Sequence, residues 1–277
     1  IQSFINPTLN TTNETIDSIP VIIAENIKEK IVELVDANIR ISEEDWNSFE
    51  TSWDYKRHPL IDSLTSNQRI SEQFDAWSEI CLSRLNDIKI NEESINKILI
   101  NIYGLDNVIN PDVDDGDISI RKPELFRDID SLISYAIGVS FGRYSLDVEG
   151  LAYAGGDWNP DLYSTIIPDD NNIIPILDDG YYPDDAMNKV IEFLTKVYGK
   201  DTLNENLKFI ADALGGNGTS KEVIRNYLIN GFYTNHLKIY QKRPIYWLFD
   251  AGKQNSFKAL IYMHRYDSTT LARIRTD

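Results

Sequence analysis

The chain has one cysteine, two methionines and three histidines in 277 residues. A lone thiol, Cys81, cannot close an internal disulfide, and no cysteine and histidine grouping has zinc-site spacing, so no metal is expected and the compartment reads as reducing and cytoplasmic. No apolar run approaches the roughly 18 residues of a membrane span, and nothing near Ile1 has the form of a signal peptide. A membrane is therefore not an expected partner. The chain opens on Ile1 rather than Met and its last residues, "LARIRTD", fall in a helical pattern, so it reads as an excised piece of a longer protein. Lys and Arg are missing entirely between Gly150 and Asn188, where Asp157, Asp161, Asp169, Asp170, Asp178, Asp179, Asp184 and Asp185 stand.

What is present is a large apolar fraction, 42%, with 11% aromatic residues, ample for a core without staples. The formal charge of -17 opposes nonspecific adhesion to nucleic acid. The sign reverses near the end: Lys238, Lys242, Arg243, Lys253, Lys258, Arg265, Arg273 and Arg275 face only Asp250, Asp267 and Asp277.

The periodicity predicts a mainly α fold with a small β component, arranged as an N-terminal helical segment, 1–110, and an α+β region, 111–277. Residues Ile1–Asn13 read as irregular. Ser18 and Pro20 open a first helix through Ile23, Ile27, Ile31, Leu34 and Val35. "SEED" at Ser42 suggests a further short turn of helix through Trp46 and Phe49. Ile70, Phe74, Trp77, Cys81, Leu85 and Ile88 form a regular seam, expected to pair as a long antiparallel helix hairpin with a helix after Asn91 that ends at Gly104. Further helices are expected from about Glu124 through Ile137, Asp184 to Tyr198, Leu203 to Leu214, and Ser220 to about Leu237. Arg243–Phe249 and Ser256–His264 alternate as two strands of a closing hairpin.

Short motifs that invite a catalytic reading have plainer ones. "DWNPDLY" at Asp157 is similar to the Asn/Asp-Pro-Pro-aromatic loop of amino-methyltransferases, but Asp161 replaces the second proline and the aromatic is displaced to Tyr163. A turn built on Asn-Pro accounts for it, as for "NPTL" at Asn6. "LGGNGTS" at Leu214 follows a helix rather than a strand and reads as a helix stop with a Thr219 or Ser220 cap. His58, His236 and His264 have no triad or ligand partners in sequence and read as structural or surface groups. Cys81 reads as a small core residue. No catalytic residue can be named.

The closing hairpin is apolar on both faces yet carries Lys242, Arg243, Lys253, Lys258 and Arg265. It is either a core hairpin with charged ends or a set of phosphate contacts at the edge of a recognition module.

The segments "FETSWDYKRHPLI", "INIYGL", "SLISYAIGVSFGRYSLDVEGLAYAGG" and "KRPIYWLFDAGKQNSFKALIYMHRY", from about Ile39 onward, resemble the PglX family, the adenine-specific DNA methyltransferases of type-one BREX phage-defence systems. The resemblance implies a parent that transfers a methyl group from S-adenosylmethionine to adenine in double-stranded DNA. The cofactor loop and the Asn-Pro-Pro-Tyr motif would lie N-terminal to the region present. No cofactor is thus expected in this chain, which would supply the helical spacer and the start of the target-recognition region. The expected DNA contacts are then Lys242, Arg243, Lys253, Lys258 and Arg265, with Tyr262 and His264, and a second group, Arg143 and Tyr144. The alternative is a scaffold that docks other BREX proteins through its acidic surface.

Overall fold

The structure, a computed structural model, describes residues 17, 20–22, 24–61, 68–178, 182–252 and 257–276. Among these, eight α-helices and a three-stranded antiparallel sheet give the mainly α fold that the periodicity predicts. The chain divides into two compact units, one of Ile1–Ser42 with Arg84–Ser119, the other of Glu43–Ser83 with Ile120–Asp277. The segment Ile1–Asn13, Ser18 and Ile23 lie outside the described residues.

Two long helices contribute residues to both units. Helix α1 spans Glu25–Asn47, so Ser42 lies inside a helix and "SEED" caps nothing. Helix α2 spans Ile70–Ile102 without a break, 33 residues or about 50 Å. The expected turn near Asn91 does not exist, because the apolar steps of Ile88, Ile95, Leu99 and Ile102 continue at helical spacing and no glycine or proline interrupts them. The antiparallel pair is instead formed in the first unit by α1 and the later part of α2. Asn91 donates to Asn38 at 2.8 Å, while Ile27 and Ile31 line a groove with Leu99 and Ile102 further along. The helix stops at Gly104, whose φ of +63° lets its amide reach Asn101 O at 3.0 Å. The acidic loop that follows folds back on α2: Asn96 donates to Pro111 O at 3.0 Å and Lys89 pairs with Asp115 at 2.8 Å.

The second unit holds the aromatic core. Helix α3, Leu125–Phe141, is its axis. Glu124 caps it by accepting from the amides of Phe126 and Arg127, and thirteen of its residues are buried. Gly142 ends it at φ +77°, in a place where a Cβ would lie 2.5 Å from the Trp158 ring. Around α3 pack α4 (Ala186–Tyr198), α5 (Leu203–Leu214), α6 (Ser220–Asn230) and α7 (Phe232–Ile239). One helix was expected over the last two. Gly231 divides them, and the ring of Tyr227 lies 2.7 Å from where a Cβ on that glycine would be. Thr219 and Glu222 form a reciprocal capping box at the start of α6, so the glycine-rich segment before it is a stop and a cap.

The sheet orders β1 (Ile174–Pro175), β3 (Lys258–Tyr262) and β2 (Tyr246–Asp250), all antiparallel. The closing hairpin is β2 and β3. Strand β1 comes from the acidic stretch and has no counterpart in the periodicity. Asn172, at φ +61°, fastens it: its amide donates to Tyr262 O at 3.1 Å and its carbonyl accepts from Tyr262 N at 3.1 Å. A last helix, α8 (Thr270–Thr276), follows a turn in which Asp267 accepts from Thr269 N.

Candidate nucleic-acid interface

Burial separates the candidate residues into those that reach solvent and those that hold the fold. Lys258 is 8% exposed; its ammonium donates to Ile229 O at 3.2 Å and lies 3.7 Å from Asp250. Tyr262 is fully buried, donating to Tyr153 O at 2.7 Å and accepting from Arg143 at 3.4 Å. Arg143 is buried, and its Nε donates to the Tyr144 hydroxyl at 3.1 Å. Tyr144 stacks on Tyr135 at 4.8 Å. Arg265 is half-buried: it donates to the carbonyls of Phe141, Asp169 and Asp170 and lies 4.5 Å above the Trp158 ring. His264 is exposed beside Tyr262. Lys253 lies outside the described residues.

Lys242 and Arg243 are exposed at the turn between α7 and β2. The turn is tight because Gln241 and Lys242 both take positive φ, +51° and +64°. The Lys242 amide returns to Leu237 O at 2.7 Å and the Arg243 amide to Tyr240 O at 2.8 Å. His236 holds the other side, its Nε2 accepting from the amides of Ile245 and Tyr246 at 3.1 and 3.2 Å. Burial and the Arg143 charge push that imidazole down to about 3, so it stays a neutral acceptor at physiological pH.

Gln241 also lines a groove of about 390 Å³ with Trp46, Phe49, Thr51, Arg121 and Arg127. The Arg121 guanidinium lies 3.7 Å from the Phe49 ring centroid and 5.5 Å from that of Trp46, and its Nη1 has no hydrogen-bond partner. Arg127 pairs with Asp128 at 2.8 Å and donates to Lys122 O. Trp46 is 53% exposed and Trp53 94% exposed, which is unusual for tryptophan away from an interaction surface. The groove thus combines arginines, the exposed Trp46 indole and the neighbouring Lys242–Arg243 turn, the chemistry that phosphates and unstacked bases require. Arg121, Arg127 and the two tryptophans escaped the sequence reading because they lie more than 70 residues from the basic tail.

Other features have structural roles. Asn159 Oδ1 accepts from the Asp161 amide at 3.1 Å in a one-turn 3-10 helix, so "DWNPDLY" is an Asn-Pro turn. His58 Nδ1 accepts from the Leu60 amide. Glu222 accepts from the Thr219 amide and hydroxyl after the glycines, so that segment is a helix stop and cap. Among the described residues no group of His, Cys, Asp and Glu could hold a metal, and no helix is long and apolar enough to cross a membrane.

No protein-family model matches the chain. It is 45% identical, over 98% of its length, to the adenine-specific methyltransferase PglX of Lacticaseibacillus casei strain Zhang. The resemblance to PglX is real. A second relative, the adenine-specific methyltransferase BrxX of Escherichia coli O9:H4 strain HS, is 34% identical over 99% of the chain. The chain spans about a quarter of the length of each, 23% of PglX and 25% of BrxX.

Proposed function

We propose that this chain is a non-catalytic part of an adenine-specific DNA methyltransferase, a helical spacer and recognition element that positions double-stranded DNA for a catalytic core elsewhere in the protein. The observation that carries the reading is the exposed Lys242–Arg243 turn beside the Arg121–Arg127 groove, in a chain so similar to PglX. Lys242 and Arg243 contact phosphates, and Trp46 packs against sugars or bases exposed by distortion of the duplex. S-adenosylmethionine and the methyl-transfer chemistry belong to the rest of the protein. The compartment is the cytoplasm, where host DNA is modified.

The alternative of a docking scaffold for other BREX proteins has less surface than the acidic composition promises. Asp185 is fully buried against Arg225, and Asp169 pairs with Lys189 at 3.5 Å. The test is fluorescence anisotropy of this chain with a labelled duplex across several salt concentrations. Binding is expected to weaken with salt, with the slope falling by about one unit for each phosphate contact removed in Lys242→Glu and Arg243→Glu. An unchanged slope in the double variant, or no binding at low salt, would overturn the reading.

A further inference from the structure

Glu50, at 6% exposure, and Arg143, at 7%, both line a pocket of about 360 Å³ in the second unit. They do not form an ion pair with each other. Glu50 Oε1 accepts from the Ser134 hydroxyl at 2.8 Å, but Oε2 is buried with no hydrogen-bond partner. Arg143 is held by its Nε and Nη1 on Tyr144 and Tyr262, which fixes the guanidinium at the pocket wall. The Tyr240 hydroxyl interacts with both charges without completing hydrogen-bond geometry to either. A buried carboxyl oxygen without a donor is costly, so the Glu50 side of the pocket wall favours a group that can donate to it. Three rings, Tyr240, His264 and the exposed Trp53, share the rest of the lining with Thr51, Ser52, Leu151 and Ala154.

We infer that this pocket binds a guanine base, with Glu50 accepting from its N1–H or N2 amino group and Arg143 donating to its O6 and N7. Arginine reads O6 and N7 of guanine, whereas a carboxylate needs an N–H donor, and guanine presents both on one planar ring. Adenine offers no carbonyl to the arginine, and cytosine and uracil have no N7. The volume falls in the range of small-ligand sites, and the aromatic walls supply stacking that is worth about 1–3 kcal/mol per base in single-strand binding proteins. The inference does not need Lys242 or Arg243, so it stands or falls separately from duplex binding. The base could reach the pocket on a free nucleotide or on an unstacked position of a nucleic-acid strand.

Isothermal titration calorimetry of the whole chain with the four nucleoside monophosphates is the first arm. Guanosine monophosphate is expected to bind saturably, at least tenfold more tightly than the other three. The second arm uses a short single strand with one guanine and the same strand with an abasic site there. Binding of the strand but not the free nucleotide supports the pocket and assigns the source to nucleic acid; comparable binding of the free nucleotide assigns it to the nucleotide pool. Glu50→Gln should weaken guanine binding at least tenfold. Trp53→Ala, at a residue too exposed to carry the fold, should weaken it severalfold with an unchanged unfolding transition. Equal affinity for all four bases, no guanine-dependent binding in either arm, or undiminished binding by Glu50→Gln would each overturn the inference.

Discussion

The stretch from Gly150 to Asn188 and the segment from Lys238 onward have opposite charge and in sequence look like two surfaces for two partners. In the fold they are neighbours. Strand β1 of the acidic stretch hydrogen-bonds along β3 of the basic hairpin, Ile176 N reaching Lys258 O at 2.8 Å, and Arg265 donates to the carbonyls of Asp169 and Asp170. Asp169 sends its side chain toward Lys189, 3.5 Å away. The two segments are therefore joined through main-chain oxygens rather than through opposed side-chain charges, and what reaches solvent from the basic segment among the described residues is Lys238, the Lys242–Arg243 turn and Arg275. Charge patterning in a sequence describes composition; which charges face a partner is decided by the backbone that carries them.

The largest expected effect breaks the acidic side at Asp185. This carboxylate caps α4 through the Asn188 amide at 2.8 Å and pairs with Arg225 while fully buried. Asp185→Ala leaves a partly buried guanidinium without its carboxylate and should cost about 3–5 kcal/mol in chemical denaturation. Asp185→Asn, which keeps the cap, should cost less. If Asp185→Ala is within 1 kcal/mol of the parent on the scale of typical surface substitutions, the acidic stretch is surface after all.

Next is the fastening of β1 to β3. Asn172→Ala removes two hydrogen bonds to the Tyr262 main chain from a residue in left-handed backbone, and a loss of about 2–3 kcal/mol is expected. Asn172→Gly relieves the backbone and should recover part of it, which separates conformational strain from lost hydrogen bonding.

A carboxylate outside both segments sharpens the contrast. Burial pushes Glu50 up to about 7 from its ordinary 4.5, with the Ser134 hydroxyl and Arg143 only partly offsetting it. Its folded value exceeds its unfolded one, so its protonated form favours the native state, and stability is lost as pH rises from about 4.5 to about 7. Glu50→Gln should flatten the pH profile of unfolding by about 1–3 kcal/mol over that window. Asp130, raised to about 6 by burial, adds a slope of the same sign that persists in the variant. The smallest effect is expected where charge is exposed. Lys242→Glu with Arg243→Glu should change stability by less than about 0.5 kcal/mol while altering DNA affinity.

The helices were legible where apolar residues repeat at three and four and a cap stands at the boundary, as from Leu203 to Leu214 and at Thr219. The strands β2 and β3 were legible from aromatic and β-branched alternation. Strand β1 was not: two residues, one of them proline, carry no period, and only the facing edge of β3 makes them a strand. The false break at Asn91 came from ending the seam at Ile88, although the polar residues that follow leave the apolar face of α2 intact. Among the candidate contacts, the alternation that placed Lys258 on a face could not tell which face α6 would cover, and the carbonyl of Ile229 now receives its ammonium. The Glu50–Arg143 pocket was illegible for another reason. Its two charges are separated by more than 90 residues, and neither looks unusual until both are buried.

The turn that presents Lys242 and Arg243 has one more implication, for protein engineering. Two successive residues there occupy left-handed backbone, and neither is glycine. Each such residue costs about 1 kcal/mol that a glycine would avoid. A redesign for robustness would replace Gln241 or Lys242 with glycine, raising the melting temperature while erasing a side chain from the exposed basic corner. Thermostability and the ability to grip a polyanion thus compete at a single pair of positions, and a library randomised there would be expected to split into sturdy variants and sticky ones.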